Sequence, residues 1–288
     1  MGRCVLVSDL HGHRDSYAKL FALVGEERPD AVFLAGDLLP SGLGQRTSTG
    51  GPGGGDFLEG VLVRGFSRLR DLLGARYPRV FIILGNDDPR IEESAFRDHA
   101  AGGLWTYAHG RRTGFGEFDV YGYSCIPPSP FWLKDWERYD VSRFVDPGCV
   151  APTEGKLTVP VREAELEWGT IQQDLDRLTD GRSLGRAILL LHCPPYQTKL
   201  DRAALDGKFF DHAPLDVHIG SIAIRRFIES RQPLVTLHGH VHESARLTGH
   251  WRDRAGRTWM FDAAQDGPEL SVGRFDPACP GEAVRQLI

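Results

Sequence analysis

Residues 237–244 read LHGHVHES and place His238, His240 and His242 at alternate positions. Strand side chains alternate with a period of two, so on a strand all three rings would leave one face. Three neighbouring imidazoles are out of place in an ordinary core and suit a metal site. Similar side chains follow four other apolar runs. CVLVS is followed by Asp9-Leu10-His11-Gly12, AVFLA by Gly36-Asp37, VFIIL by Gly85-Asn86-Asp87-Asp88, and AILLL by His192-Cys193-Pro194-Pro195. Carboxylate, amide and imidazole together suit divalent first-row metals, namely Mn, Fe, Ni, Co or Zn. One ion would be over-supplied by this set. Two would receive about four protein ligands each if a carboxylate were shared, and cations roughly 3.5–4 Å apart need an anion between them. Asp37 and a bridging hydroxide meet that need. The implied chemistry is hydrolysis of a phosphate ester by in-line attack.

The runs that carry these residues read as buried strands: Cys4–Ser8, Ala31–Ala35, Val80–Leu84, Ala187–Leu191 and Leu234–Leu237. Helix-patterned stretches lie between them, at Ser16–Glu27, Phe57–Arg76, Ile91–Ala101, Glu163–Leu178 and Ser221–Ser230. The alternation predicts an α/β protein, in which ligands bind beyond the carboxyl ends of strands. Glu117–Tyr123, Thr258–Asp262 and Leu270–Phe275 read as strands without intervening helices, and a second, more antiparallel sheet is expected there. Residues 40–56, rich in Gly, Ser and Thr, read as a mobile surface loop. Residues 126–152, rich in Pro and aromatics, read as an ordered loop over a site.

Composition narrows the partners. A net charge of −5 over 288 residues provides no general attraction for nucleic acid or anionic membrane. Five scattered cysteines without CxxC pairing argue against a thiolate metal site or disulfide framework, and a cytoplasmic location is the expectation. The N-terminal apolar run is too short for a signal peptide, and no membrane partner is expected.

DLHG, GD, GND, HCPP and GHVH, in this order and each after an apolar run, resemble the five motifs of the calcineurin-like metallophosphoesterase superfamily. HCPPYQTKLD and HIGSIAIRRFIESRQPLVTLHGHVHES look most like the Icc-like phosphoesterases of bacteria and archaea. The resemblance spans about residues 5–245 and implies an α/β/β/α sandwich of two facing sheets. It also implies one domain over 1–288, because ligands spread from Asp9 to His242 cannot belong to independent units. Carried over position by position, it puts Asp9, His11 and His242 on the first metal and Asn86, His192 and His240 on the second, with Asp37 bridging. Manganese is the favoured ion. Gly239 is expected to permit a tight turn. His238 becomes a neighbour, either a satisfied core residue or a hydrogen-bonding support for a ligand. Asp88 fits the family's acidic position after the GNx triplet.

Two departures matter. Relatives commonly have His where this chain has Asp87, and that His is thought to protonate the leaving oxygen or hold a phosphate oxygen. A carboxyl with an ordinary pKa of about 3.9 is ionised at neutral pH and would repel a dianionic monoester. A small phosphodiester is therefore the expected substrate, with His13, two residues past a ligand, as a substitute proton donor. Near the end, WMFDAAQDGPE replaces an Asn-Pro-Gly common in relatives, so substrate contacts there are not carried over. Phe131, Trp132, Trp136 and Tyr139 read first as loop packing, and Arg138 and Arg143 as solvated charges. A nuclease would need a basic track that the sequence lacks. A weakly active or non-catalytic metal-binding scaffold is the remaining alternative.

Overall fold

A computed structural model describes residues 3–40 and 57–288. Most of the Gly-rich stretch read as a mobile loop, residues 41–56, lies outside the described residues. Five strand runs appear nearly as expected: β1 (Cys4–Val7), β2 (Ala31–Ala35), β3 (Arg79–Ile83), β7 (Ala187–Leu191) and β10 (Val235–His238). All but Arg79 are buried throughout, which is why they read as continuous apolar runs and not as alternating ones.

Among the described residues these strands belong to two six-stranded mixed sheets. The first runs β14 (Val284–Leu287), β13 (Ser271–Phe275), β1, β2, β3, β4 (Thr106–Tyr107). The second runs β11 (Arg252–Ala255), β12 (Thr258–Asp262), β10, β7, β6 (Phe118–Tyr123), β5 (Arg111–Phe115). β1, β2 and β3 are mutually parallel, and so are β6, β7, β10 and β12. The expected separate antiparallel sheet does not form. β13 pairs antiparallel with β1 in the first sheet, whereas β6 and β12 pair parallel with β7 and β10 in the second. Sheet membership depends on long-range pairing, which local sequence does not encode.

Period-two alternation divides each strand between two cores. Leu6, Phe33, Phe81 and Ile83 of the first sheet pack against Ile188, Leu190, Leu237 and Phe261 of the second. Their neighbours Val5, Val7, Val32, Leu34, Val80 and Ile82 face helices α1 (Arg14–Glu27), α2 (Arg64–Leu73) and α3 (Glu93–Ala101). Leu189 and Leu191 belong to the same outer core as buried residues of α5 (Ile171–Thr179) and α6 (Ile222–Arg231). The result is an α/β/β/α sandwich. Burying each large apolar side chain contributes roughly 1.5–3 kcal/mol, so the inner core can hold strained chain segments at its rim.

Helix boundaries shift for local reasons. Phe57–Arg76 is composite: a π-helical stretch over Leu58–Val63 leads into α2, and a 3-10 turn over Gly74–Arg76 ends it. Glu163–Leu178 breaks at Gly169 into α4 (Glu163–Trp168) and α5, where Thr170 caps the Gln173 amide. A short α7 (Ser244–Thr248) and a hairpin of β8 (Phe209–Phe210) and β9 (Ala213–Pro214) were not anticipated.

Candidate dimetal centre

The carboxyl ends of β1, β2, β3, β7 and β10 converge at one cleft, as the sequence implied, although they come from two sheets. Asp9, His11, Asp37, Asn86, His240 and His242 line it, and His192 lies fully buried beneath. Backbone bonds tie the strand ends within each sheet: Asp9 N–H to Gly36 O, His11 N–H to Asp37 O, and Gly239 N–H to His192 O. Two more cross between sheets. His192 Nδ1–H donates to Ala35 O at 2.7 Å, and the His240 N–H reaches both Asp9 carboxylate oxygens at 3.1 Å.

The loops are forced into unusual backbone. Asp9, His11, Asp37 and His240 have φ of 56°, 40°, 52° and 77°, in the left-handed region that costs a non-glycine residue about 1 kcal/mol or more. Such conformations persist where the surrounding structure over-determines them. His240 also corrects the opening expectation. β10 ends at His238, so His240 and His242 lie on a turn and not on one strand face. Gly239 is needed for proximity and not for turning: a Cβ there would lie 1.9 Å from Ser8 Oγ and 2.4 Å from Asp9 Oδ2. At Gly85 a Cβ would lie 2.3 Å from Asp37 Oδ1.

One ligand-competent atom from each of Asp9, His11, Asp37 and His242 falls within 4.8 Å of the others. His11 Nε2 and His242 Nε2 face each other at 3.1 Å, and His242 Nε2 is 3.2 Å from Asp9 Oδ1. Alongside, His192 Nε2 lies 2.9 Å from Asn86 Oδ1, and the His192 and His240 rings are 5.2 Å apart between centroids. Because its Nδ1–H is spent on Ala35, His192 presents Nε2 to the site. Asp37 lies between the groups. Its Oδ2 is 3.9 Å from His11 Nε2 and 3.4 Å from His192 Nε2, while Oδ1 accepts the Asp87 N–H at 2.8 Å. Inward-facing ring nitrogens and carboxylate oxygens from both sheets match the donor set of a divalent pair.

Electrostatics agree. Burial alone would raise the Asp9 carboxyl, but His242, with His192 and His11 nearby, holds it well below the usual carboxylate range. Asp37 also falls below its ordinary value, because His192 outweighs the effect of burial. Burial would lower His11 and His192. The Asp87 hydrogen bond and the charges of Asp37 and Asp9 instead raise His11 to about 9, and Asp37 raises His192 to about 9. His240 goes the other way, pushed to about 3 by burial and then by His192. Concentrated negative charge is thus compensated by protons where cations would serve.

The remaining candidates separate clearly. Asp87 Oδ2 lies 3.1 Å from His11 Nδ1, placing this carboxylate on the far side of a candidate ligand ring. Asp88 is fully buried and accepts the amides of Leu38, Leu39 and Gly85, joining the loop after β2 to the loop after β3. His238 has both ring nitrogens engaged elsewhere: Nδ1–H donates to Cys193 O, leaving Nε2 to accept from Thr236 Oγ1. That is the satisfied core histidine, and the support it provides is to the backbone after His192. His13 is exposed on the cleft at the start of α1. Trp136 and Tyr139 are buried packing, as read, whereas Phe131 and Trp132 are exposed on the cleft. Arg138 pairs with Glu165 and Asp174, and Arg143 with Glu167. Sequence reading missed Asp262, whose Oδ1 accepts the Ala264 N–H while Oδ2 is buried without a partner. Burial, reinforced by nearby Asp9 and only partly offset by the Ala264 amide bond, leaves it well above the carboxylate range. Its only signal was its place in the departing segment FDAAQDG.

The calcineurin-like phosphoesterase family model matches residues 2–244. The chain belongs to the calcineurin-like phosphoesterases. This phosphoesterase is accordingly a metal-dependent hydrolase of phosphate esters, of a family whose centre is dinuclear. No curated protein matches it in sequence. Among solved structures, TT1561 of Thermus thermophilus is similar at 14% identity and TM-score 0.56, covering 99% of this chain and 98% of that one. A dimetal phosphatase from Danio rerio is similar at 14% identity and TM-score 0.52, over 99% and 95%. Phosphopantetheinyl hydrolase from Mycobacterium tuberculosis is similar at 14% identity and TM-score 0.52, over 92% and 89%. At these identities the likeness concerns the fold. Among the described residues no helix is long and apolar enough to cross a membrane.

Proposed function

We propose that this phosphoesterase, read as one domain, is a phosphodiesterase. In this reading Asp9, His11 and His242 hold one divalent cation, Asn86, His192 and His240 hold the second, and Asp37 bridges them. The observation that supports it best is the position of Asp37 Oδ2, within 4 Å of an imidazole nitrogen from each set. When bound, the two cations polarise the phosphoryl oxygens and lower the pKa of the attacking water. The protein positions everything else. His192 is held to one tautomer by Ala35, and Asp88 fixes the separation of the loops bearing Asp37 and Asn86.

Asp87 has two parts in this reading. As the acceptor for His11 Nδ1 it orients that ring, in the manner of a carboxylate–histidine–metal relay. Its side chain, about one-third exposed to the cleft, also faces incoming phosphate with negative charge. A monoanionic diester tolerates this better than a dianionic monoester. The leaving oxygen must then take its proton from elsewhere, and His13 on the cleft edge is the candidate general acid.

The test is turnover of bis-p-nitrophenyl phosphate against p-nitrophenyl phosphate at pH 7–8 with added manganese. A diester preference is expected, and a clear monoester preference would overturn the proposal. Asp87→His should raise monoester turnover. His13→Gln should depress alkyl leaving groups more than p-nitrophenolate, which leaves without protonation.

A further inference from the structure

The cleft is larger and more apolar than phosphate hydrolysis requires. It encloses about 1890 Å³, above the roughly 300–1,000 Å³ common for small-molecule sites. On the same cleft as the candidate ligands stand Phe131, Trp132, Phe144 and Phe210, which are 58%, 61%, 68% and 51% exposed. At roughly 200 Å² of surface per aromatic side chain these expose about 400–500 Å². That is the scale at which an apolar patch marks a binding surface.

These rings are not a disordered fringe. The segment carrying Phe131 and Trp132 is pinned from within by the Lys134–Glu137 pair, fully buried at 2.6 Å, with Ser129 bonded to both partners. Asp135 holds the Arg90 amide and Thr158. Trp136 Nε1–H donates to Asp88 O, tying the segment to the candidate metal loops. The Phe210 ring of the β8–β9 hairpin packs close to Gly148 of the same Pro- and aromatic-rich segment, where a Cβ would lie 3.1 Å away. A chain that buries Lys134 in this loop leaves Phe131 and Trp132 in solvent.

Charge narrows the occupant. Lys156 is the one Lys or Arg among the described residues lining the cleft, whereas Asp15, Asp146, Asp216 and Glu269 are among its carboxylates. A polyanion such as a nucleic acid strand would meet repulsion past its first phosphate. A substrate with one phosphate and an uncharged or cationic remainder meets none.

We propose that this wall receives the hydrocarbon part of an amphipathic phosphodiester, a single phosphate esterified to a group bearing an alkyl or acyl chain. The proposal rests on the phosphodiesterase reading above and names its substrate class. Water oxygen bonds to phosphorus, the P–O bond to one alcohol breaks, and that alcohol leaves with a proton.

The experiment titrates octyl-, decyl- and dodecylphosphocholine, below their micelle concentrations, into metal-free full-length protein by calorimetry. Nothing is hydrolysed under those conditions. Affinity should rise roughly twofold or more per added methylene. The double variant Trp132→Ser/Phe144→Ser should weaken dodecylphosphocholine binding at least tenfold and flatten the chain-length series. Leu72→Ser, which alters an exposed apolar residue away from the cleft, should leave binding as in the wild type. A flat wild-type series would overturn the proposal, and so would equal weakening by Leu72→Ser. Association with phosphatidylcholine vesicles but not with monomeric chains would also overturn it, in favour of membrane docking. Turnover of bis-p-nitrophenyl phosphate by the metal-loaded wild type is measured in parallel. Its absence defeats the phosphodiesterase reading, and its presence beside a flat series defeats the wall alone.

Discussion

The floor and the wall of the cleft are built on opposite terms. On the floor, Asp9, Asp37, His11 and His192 each touch at least one other candidate ligand or its backbone, and a single added methyl at Gly85 or Gly239 would collide with a carboxylate. On the wall, Phe131, Trp132 and Phe144 stand more than half exposed. The difference shows where change is tolerated. Substitutions on the floor collide with neighbouring groups, whereas substitutions on the wall meet solvent.

The contrast can be broken in order of severity. Asp37→Ala should reduce bis-p-nitrophenyl phosphate turnover by about a thousandfold or more, since several kcal/mol of transition-state stabilisation depend on an intact pair. Retention of more than a tenth of the activity would refute its bridging place. Gly239→Ala should destabilise the fold by about 1–3 kcal/mol through overpacking and lower bound manganese per chain, measured by urea unfolding and elemental analysis. A silent substitution would mean that the floor is looser than it looks.

Beneath the wall, His109 accepts the Ser124 N–H and packs edge-on against Trp136. Burial pushes it down to about 4, below its ordinary 6.5. The unfolded chain therefore takes up a proton first as pH falls. The stability this group contributes is complete above pH 6.5 and lost towards pH 4. Its edge meets solvent, so the loss is about 1–3 kcal/mol. Urea unfolding at pH 7 and pH 4.5 should show it, and His109→Gln should shrink the difference. Asp87→Ala should weaken manganese binding about 10- to 100-fold by freeing the His11 ring, as read by calorimetry. Phe131→Ser should change stability by less than about 0.5 kcal/mol.

The strand ends were legible because strands buried on both faces produce apolar runs that stop abruptly at the polar candidate ligands. Edge strands were not legible. β5 and β14 are largely exposed, β11 is mostly half-buried, and they carry Arg, Gly and Asp among their residues where a pattern would need Val or Ile. The sheet assignment of β13 was hidden because its partner is some 270 residues earlier, Cys4 opposite Phe275. The histidine cluster was found for a partly mistaken reason. Alternation suggested a strand face, but the left-handed turn at His240 delivers two of the three rings. His238 read either as a satisfied core residue or as a support for a ligand, and its bonds to Cys193 O and Thr236 Oγ1 are those of the former. The wall aromatics could not be divided by sequence, since Trp132 and Trp136 differ only in which way the loop turns.

The contact between His242 and Asp9 spans 233 positions of chain. At roughly 5–20 residues per second of synthesis, Asp9 leaves the ribosome about 10–50 s before its partner is made. During that interval Asp9, His11 and Asp37 wait without the His242 ring that completes their cluster. The contact closes only when the last quarter of the polypeptide arrives.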